Sequence, residues 1–288
     1  MMPKIWRDLD QESLDNAYDQ TVYAPNYGQV VRRMVENSAA LFAHTADVKT
    51  LSYGDSAIEV LHYFPPARRG APIHVHVHGG AWRQRLAEGV AFPAEMFVRA
   101  GIGFAVFDFI SVDETGGDLK PMGRQVEKAL AWIARHAGDL GGDPARLHLS
   151  GFSSGAHLAA VALTADWRAE GFDAVPYRSA LLISGMYDLE PVRLSKRSEY
   201  VTIDDAVAQS MSAQRNIDAI EIPITLAYGT LETPEFQRQT REFADHLAIA
   251  GKRSELIVCE GYNHYEMMEA LGHPYSPLGR AALAHAVG

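Results

Sequence analysis

One short segment places a serine where it could act as a nucleophile. The segment GFSSG, residues 151–155, holds Ser153 between two glycines, after an apolar run and before an Ala-rich segment. A serine in a tight strand-to-helix turn is the arrangement of a nucleophile elbow, in which larger side chains two residues away would collide. The dipole of the following helix would favour negative charge developing beside the serine. The pattern predicts Ser153 as a nucleophile.

A serine hydroxyl needs a general base, which in this arrangement follows the last strand. His264 lies in a polar turn five residues after Cys259, at the start of a helix pattern. Three other late histidines, His246, His273 and His285, fall inside helix patterns or beyond the turn. We therefore predict His264 as the base.

The base in turn needs a carboxylate, which in this chain order comes between the serine and the histidine. Glu232 lies in the loop after the apolar run ITLAYG. Glu235 follows Pro234 in the first turn of a helix, where the helix dipole alone accounts for a carboxylate. Asp188, after the preceding strand, stays open as an alternative. Glu232 is our predicted acid.

The glycine pair in PIHVHVHGGAWR, residues 72–83, could stabilise an oxyanion. Acyl transfer needs amide donors from the residue after the nucleophile and from a loop after an early strand. Ser154 takes the first position, and Gly79 and Gly80 take the second, with Ala81 as an alternative for another loop register. His78 would brace this loop through hydrogen bonds.

His74 and His76 precede this loop at alternate positions, which places them on one face of a strand. Three histidines at this spacing raise the question of a metal site. In a sheet covered on both faces, however, such side chains are buried, neutral and hydrogen-bonded. We expect no metal and no cofactor.

Short apolar runs alternate with amphipathic segments, as in a mostly parallel α/β sheet with helices on both faces. The predicted strands are 58–64, 73–78, 103–109, 146–151, 180–185, 224–229 and 255–260, and the predicted helices are 122–138, 154–167, 234–251 and 277–288. No linker divides the chain, which predicts one domain over residues 1–288. Residues 1–46 precede the first strand and are interpreted as a helical extension or as a cap over a pocket.

Composition narrows the classes of function. The net charge of −10 disfavours a nucleic-acid partner, and the single cysteine rules out an internal disulfide. We find no signal peptide and no apolar run long enough for a membrane span. A cytoplasmic protein with a small-molecule substrate is expected, with a homodimer left open.

Three separated motifs, HGGAW, GFSSGAH and GTLETPEFQRQ with GYNHYEMMEAL, resemble the serine-dependent kynurenine formamidases (arylformamidases). These belong to the α/β-hydrolase fold and are related to the hormone-sensitive-lipase-like esterases. The resemblance covers roughly residues 50–270 and places Ser153, Glu232 and His264 on the triad positions. Two features depart from the family: its acid is usually aspartate, and its strand before the glycine pair is usually apolar.

The resemblance implies hydrolysis of N-formyl-L-kynurenine, or a similar aryl formamide, through an acyl-enzyme. Trp82 and Tyr27 are candidates for packing against the aryl ring. A carboxylesterase or another amide hydrolase is the alternative, because the same reacting groups serve both. A binding protein that keeps the fold without catalysis and a metal-dependent hydrolase are the other hypotheses, and the motifs of the metal-dependent formamidases are not found.

Overall fold

Eight strands form one mixed sheet in the computed structural model, which describes residues 3–84 and 86–287. The strands are β1 (Lys49–Ser52), β2 (Val60–Phe64), β3 (Ala71–Val77), β4 (Gly103–Phe107), β5 (Gly142–Phe152), β6 (Ser179–Ile183), β7 (Ile224–Gly229) and β8 (Ser254–Cys259). Their order across the sheet is β1-β2-β4-β3-β5-β6-β7-β8. The β1–β2 and β2–β4 pairs are antiparallel, and every other pair is parallel. The predicted mostly parallel sheet is confirmed.

The predicted strand ends agree with the observed ones to within two residues, apart from two larger differences. β1 was not predicted, because this edge strand, KTLS, is polar and largely exposed and so lacks an apolar run. β5 begins at Gly142, four residues before the predicted start at 146, and includes Pro144. Its pairing with β3 shifts register between Ala71 and Ile73, which accommodates this irregular start.

Helices cover both faces of the sheet, as predicted. They are α1 (Gln11–Ala17), α2 (Tyr27–His44), α3 (Ala94–Arg99), α4 (Lys120–His136), α5 (Ser154–Ala162), α6 (Glu190–Leu194), α7 (Asp205–Ser210), α8 (Pro234–Ile249), α9 (His264–Leu271) and α10 (Pro277–Val287). Buried side chains of α4, α5 and α8 share one core, and those of α2, α3, α9 and α10 share the other. Gly288, the last residue of the predicted C-terminal helix, lies outside the described residues. None of the described helices has the length and apolarity to cross a membrane.

The N-terminal segment is helical and packs closely onto the rest of the chain. Leu14 of α1 and Val30 of α2 have no exposed surface. The guanidinium of Arg33 on α2 forms two hydrogen bonds, of 2.7 and 2.9 Å, with the carboxylate of Glu269 on α9. The Asp15 carboxylate accepts a 2.6 Å hydrogen bond from the amide of Lys196. The segment is therefore joined both to α9 and to the chain at Lys196.

Candidate active site

The turn between β5 and α5 holds Ser153 in a conformation that non-glycine residues rarely adopt. Its φ is 55° and its ψ is −123°, and its amide donates a 2.9 Å hydrogen bond to the carbonyl of Ile183 on the neighbouring strand. A Cβ on Gly155 would lie 2.2 Å from the carbonyl oxygen of Val77, so only glycine allows this close approach. The strained turn directs the Ser153 side chain off the sheet edge.

The three residues of the predicted triad form one chain of hydrogen bonds. Ser153 Oγ lies 2.9 Å from His264 Nε2, and His264 Nδ1 lies 3.0 Å from Glu232 Oε2. All three side chains are nearly buried, with exposed fractions of 2–6% for the residues. A carboxylate can only accept hydrogen bonds, so His264 carries its proton on Nδ1 and leaves Nε2 free to accept from the serine.

Donors fixed by the neighbouring strands hold the Glu232 carboxylate in place. Its Oε1 accepts hydrogen bonds from Ser184 Oγ at 2.5 Å and from the Gly229 amide at 2.8 Å. The alternative acid, Asp188, lies elsewhere: its Oδ1 is 2.8 Å from the guanidinium of Arg215. The structure therefore brings Glu232 to the histidine and does not bring Asp188 there.

His264 is held by the start of its own helix. Asn263 caps α9 by accepting from the amides of Tyr265 and Glu266, while the Glu266 side chain accepts from the Asn263 amide. This capping box satisfies backbone donors that would otherwise lack partners. Asn26, at the start of α2, donates to Glu266 and accepts from Asn263. The N-terminal segment thus supports the turn that carries His264.

The loop after β3 lies beside Ser153, as its predicted oxyanion role requires. A Cβ on Gly79 would lie 3.1 Å from Ser153 Cβ and 2.9 Å from the Phe152 carbonyl oxygen. Gly80 has a φ of 110°, a region that favours glycine. Among the described residues, the amides of Gly79, Gly80 and Ser154 donate to no protein group. Free N–H groups close to a nucleophile are suited to binding an oxyanion.

Buried side chains fix the shape of this loop from two sides. His78 Nδ1 is 2.7 Å from the Gly79 carbonyl, and its Nε2 is 3.1 Å from Asp108 Oδ1 without hydrogen-bond alignment. Burial works to raise the pKa of Asp108, but contacts with His78 and two backbone amides outweigh it and lower that pKa. On the other side, the Trp82 amide donates to Ser154 Oγ at 3.2 Å.

His74 and His76 are fully buried and share one hydroxyl. Ser150 Oγ lies 2.7 Å from His74 Nε2 and 2.8 Å from His76 Nδ1. Burial, and secondarily neighbouring histidines, lowers the pKa of His76 to about 3 and that of His74 well below its usual range. Both rings are therefore neutral at pH 7. No group of side chains suited to holding a metal ion occurs among the described residues.

A cavity of about 320 Å³ opens onto Ser153 and His264. Its lining includes Gly79, Gly80 and the aromatic residue Phe152. The N-terminal segment contributes lining residues as well, which are Tyr18, Asp19, Gln20, Val31, Met34 and Val35. The described part of the N-terminal segment thus packs on the rest of the chain and also forms part of the cavity wall.

The two aromatic residues expected to pack against a substrate ring do not line this cavity. Trp82 is 1% exposed, and its indole N–H donates to His157 Nδ1 at 3.1 Å within the core. Tyr27 is 44% exposed and lies against Tyr265, with ring centroids 5.6 Å apart. That prediction is therefore corrected: ring placement depends on packing that the local sequence does not specify. Tyr265 itself lines the cavity.

Several residues of the site were not identified from the sequence. Ser184 supports the acid, and Gln20, Lys196, Arg197 and Tyr200 line the wall. Ser184 has a φ of 55°, and its position directly after β6 is a signal that could have been used. The other four lie in polar segments with no motif, and only the folded chain brings them together.

Comparison with known families agrees with this architecture. A family model described as alpha/beta hydrolase fold matches residues 123–268, and a second, BD-FAE, matches residues 62–179. The kynurenine formamidase of Danio rerio is 25% identical over 92% of this chain and 93% of its own length. That of Salmo salar is 23% identical with the same coverage. The resemblance drawn from the motifs is confirmed.

Esterases are also among the similar proteins. A probable isoprenylcysteine alpha-carbonyl methylesterase from Oryza sativa is 23% identical over 76% of this chain and 58% of its own length. A candidate thioesterase from Silicibacter sp. TM1040 superposes with a TM-score of 0.82 at 21% identity, covering 96% of this chain and 99% of that one. Esterase B from Lactobacillus rhamnosis superposes with a TM-score of 0.70 at 14% identity, covering 92% and 94%. These structural likenesses establish a shared fold.

Proposed function

Because the chain belongs to the alpha/beta hydrolase fold family, we propose that it is a serine hydrolase that cleaves N-formyl-L-kynurenine or a similar aryl formamide. The hydrogen-bonded chain from Ser153 through His264 to Glu232 carries the proposal. The relatives and structural neighbours with which it compares are hydrolases. Similarity to two kynurenine formamidases over nearly the whole chain supports the formamide substrate.

The first half-reaction transfers the acyl group to the enzyme. Ser153 Oγ attacks the formyl carbon while His264 Nε2 takes the serine proton. The oxyanion that forms accepts hydrogen bonds from amides of the Gly79–Gly80 loop and of Ser154. His264 then gives its proton to the leaving nitrogen, the C–N bond breaks, and the aryl amine departs.

Water completes the cycle in the second half-reaction. His264 removes a proton from a water molecule, whose oxygen attacks the formyl carbon of the ester on Ser153. The C–O bond to Ser153 breaks, the serine regains its proton from His264, and formate is released. Glu232 stays ionised throughout and stabilises the imidazolium that forms in each half-reaction.

Turnover and active-site labelling test this proposal. We expect the purified protein to release formate from N-formyl-L-kynurenine and to react with a fluorophosphonate probe. Ser153→Ala should abolish both, whereas Ser210→Ala, at an exposed serine that ends α7, should alter neither. Cleavage of aryl esters without formate release from N-formyl-L-kynurenine would make the protein an esterase. Full activity of Ser153→Ala would refute the serine mechanism.

A further inference from the structure

One group of the residues that line the cavity is polar or charged. We name it the polar wall, and it consists of Asp19, Gln20, Lys196, Arg197 and Tyr200. Lys196 Nζ lies 2.5 Å from Asp19 Oδ2, and one terminal nitrogen of Arg197 donates to the Tyr200 hydroxyl at 2.9 Å. Apolar side chains from α2, α9 and the turn at residues 88–90 line other parts of the cavity. A ligand would therefore meet both a polar and an apolar surface.

Arg197 is a buried cation without a carboxylate partner. Arg197 is 6% exposed, and its guanidinium forms no ion pair with any described acidic side chain. Its neighbours differ, because Lys196 pairs with Asp19 and Arg193 pairs with Glu190. An arginine side chain stays charged at every physiological pH, so this charge persists in the cavity wall.

The contacts of Arg197 leave hydrogen-bonding capacity unused. A guanidinium has five N–H donors, and only two bonds are formed, to the Tyr200 hydroxyl and to the Tyr18 carbonyl at 3.1 Å. Its Nε has no partner among the described atoms. The rings of Trp82 and Tyr18 lie 5.4 and 6.0 Å from its central carbon. Such ring contacts stabilise the cation only in part and leave in-plane N–H groups available.

Gln20 provides an independent indication of a polar ligand. Its residue is 6% exposed and lines the same cavity, yet neither the nitrogen nor the oxygen of its amide has a partner among the described residues. Leaving a buried polar group without a hydrogen bond costs about 1–3 kcal/mol. Two unsatisfied polar side chains in one wall indicate a ligand that carries both charge and hydrogen-bonding groups.

We infer that Arg197 binds a carboxylate of the substrate, with Gln20 hydrogen-bonding the polar group beside it. Arginine suits this role because its planar fork matches the geometry of a carboxylate. The substrate class is thus an acyl compound bearing a free carboxylate, as opposed to a neutral ester of a fatty acid or alcohol. The inference rests on the proposed function, since the amino-acid portion of N-formyl-L-kynurenine supplies such a carboxylate.

Binding to catalytically inactive protein tests the inference apart from turnover. Calorimetric titration of the Ser153→Ala protein would compare N-formyl-L-kynurenine with its α-carboxamide, and 4-phenylbutanoate with 4-phenylbutanamide. We expect each carboxylate to bind at least about tenfold more tightly than its amide. A hydrogen bond to a charged group is stronger than one to a neutral group by a free energy that corresponds to about this ratio of affinities. Adding Arg197→Met, which keeps an unbranched apolar stem but removes the guanidinium, should remove this preference.

Two further variants control the measurement. Arg135→Met removes an equal charge from an exposed residue paired with Glu170 and should leave the preference intact. Arg197→Lys keeps the charge without the fork and should retain only part of the preference, which provides a second comparison if Arg197→Met does not fold. Equal binding of acid and amide in both pairs, or an unchanged preference in the Arg197 variants, would overturn the inference. Failure of N-formyl-L-kynurenine turnover, with the 4-phenylbutanoate preference present, would instead contradict only the proposed formamide substrate.

Discussion

Replacing Glu232 with glutamine should inactivate the enzyme while keeping the shape of the site. The carboxylate accepts from three donors, which are His264 Nδ1, Ser184 Oγ and the Gly229 amide. The backbone donor of Gly229 cannot reverse its role, so the glutamine oxygen would take the position of Oε1. The amide NH₂ would then face His264 Nδ1 and force that atom to accept a hydrogen bond.

This reversal moves the histidine proton to the wrong nitrogen. With Nδ1 as an acceptor, the imidazole proton resides on Nε2, the atom 2.9 Å from Ser153 Oγ. A protonated Nε2 cannot accept the serine proton, so the histidine can no longer act as the base. The corresponding change in a serine protease lowers kcat about 10⁴-fold, which is roughly 5.5 kcal/mol in the barrier. We expect a loss of similar size for Glu232→Gln. Glu232→Asp should lose less, because it keeps the charge but shortens the side chain by about 1.5 Å.

Steady-state hydrolysis of 4-nitrophenyl acetate at neutral pH measures both variants, with the thermal unfolding midpoint as a check on folding. Asp188→Asn is the matched control, since this acid pairs with Arg215 and does not contact His264. The control should keep near-native kcat. The reasoning fails if folded Glu232→Gln keeps activity within about tenfold of the native enzyme, or if Asp188→Asn loses as much.

Two other outcomes follow from the site and its surroundings. Gly79→Ala should lower kcat by about tenfold or more, because the added Cβ would lie 2.9 Å from the Phe152 carbonyl oxygen and shift the proposed oxyanion donors. In Gly28→Ala the added Cβ meets no atom within 4 Å, so this control should retain activity, and equal rates for the two variants would contradict the prediction. Acid should destabilise the fold, since burial lowers the pKa of His76 to about 3, so that below pH 6.5 only the unfolded chain protonates this ring. By pH 5 this group alone removes about 2 kcal/mol from the free energy of unfolding, and denaturant titrations that give equal stability at pH 7 and pH 5 would refute the assignment of a neutral ring.

The sequence predicted those parts of the protein that local patterns determine. The GFSSG turn is a short motif, and Glu232 and His264 each lie in a loop that follows a predicted strand. Because loops after parallel strands meet at one edge of the sheet, their order in the chain was enough to predict that these residues lie together. β1 escaped prediction because an exposed edge strand needs no apolar run. We could predict that His74 and His76 are neutral and hydrogen-bonded because the strand pattern indicated a sheet with helices on both faces, which buries both side chains.

Features that depend on distant packing were predicted wrongly or not at all. Trp82 lies two residues after the glycine pair, yet its indole turns into the core to reach His157, which is 75 residues away. Nothing in the segment around Arg197 shows that it lacks an acidic partner, because that depends on which carboxylates fold next to it. Gln20 likewise lies in a segment that distant contacts hold at the cavity, since Lys196 bonds Asp15 and Asp19.

The proposed reacting groups and part of the cavity wall lie in different parts of the chain, so catalysis and substrate selectivity could evolve independently. The proposed nucleophile, base and acid all lie between residues 153 and 264, whereas Tyr18, Gln20 and Met34 line the cavity in front of them. Mutations in the first forty residues can therefore alter what fits the cavity without touching a reacting group. A lineage with this arrangement can exchange one acyl compound for another by remodelling its leading helices, which lets one catalytic core diversify into enzymes of different selectivity.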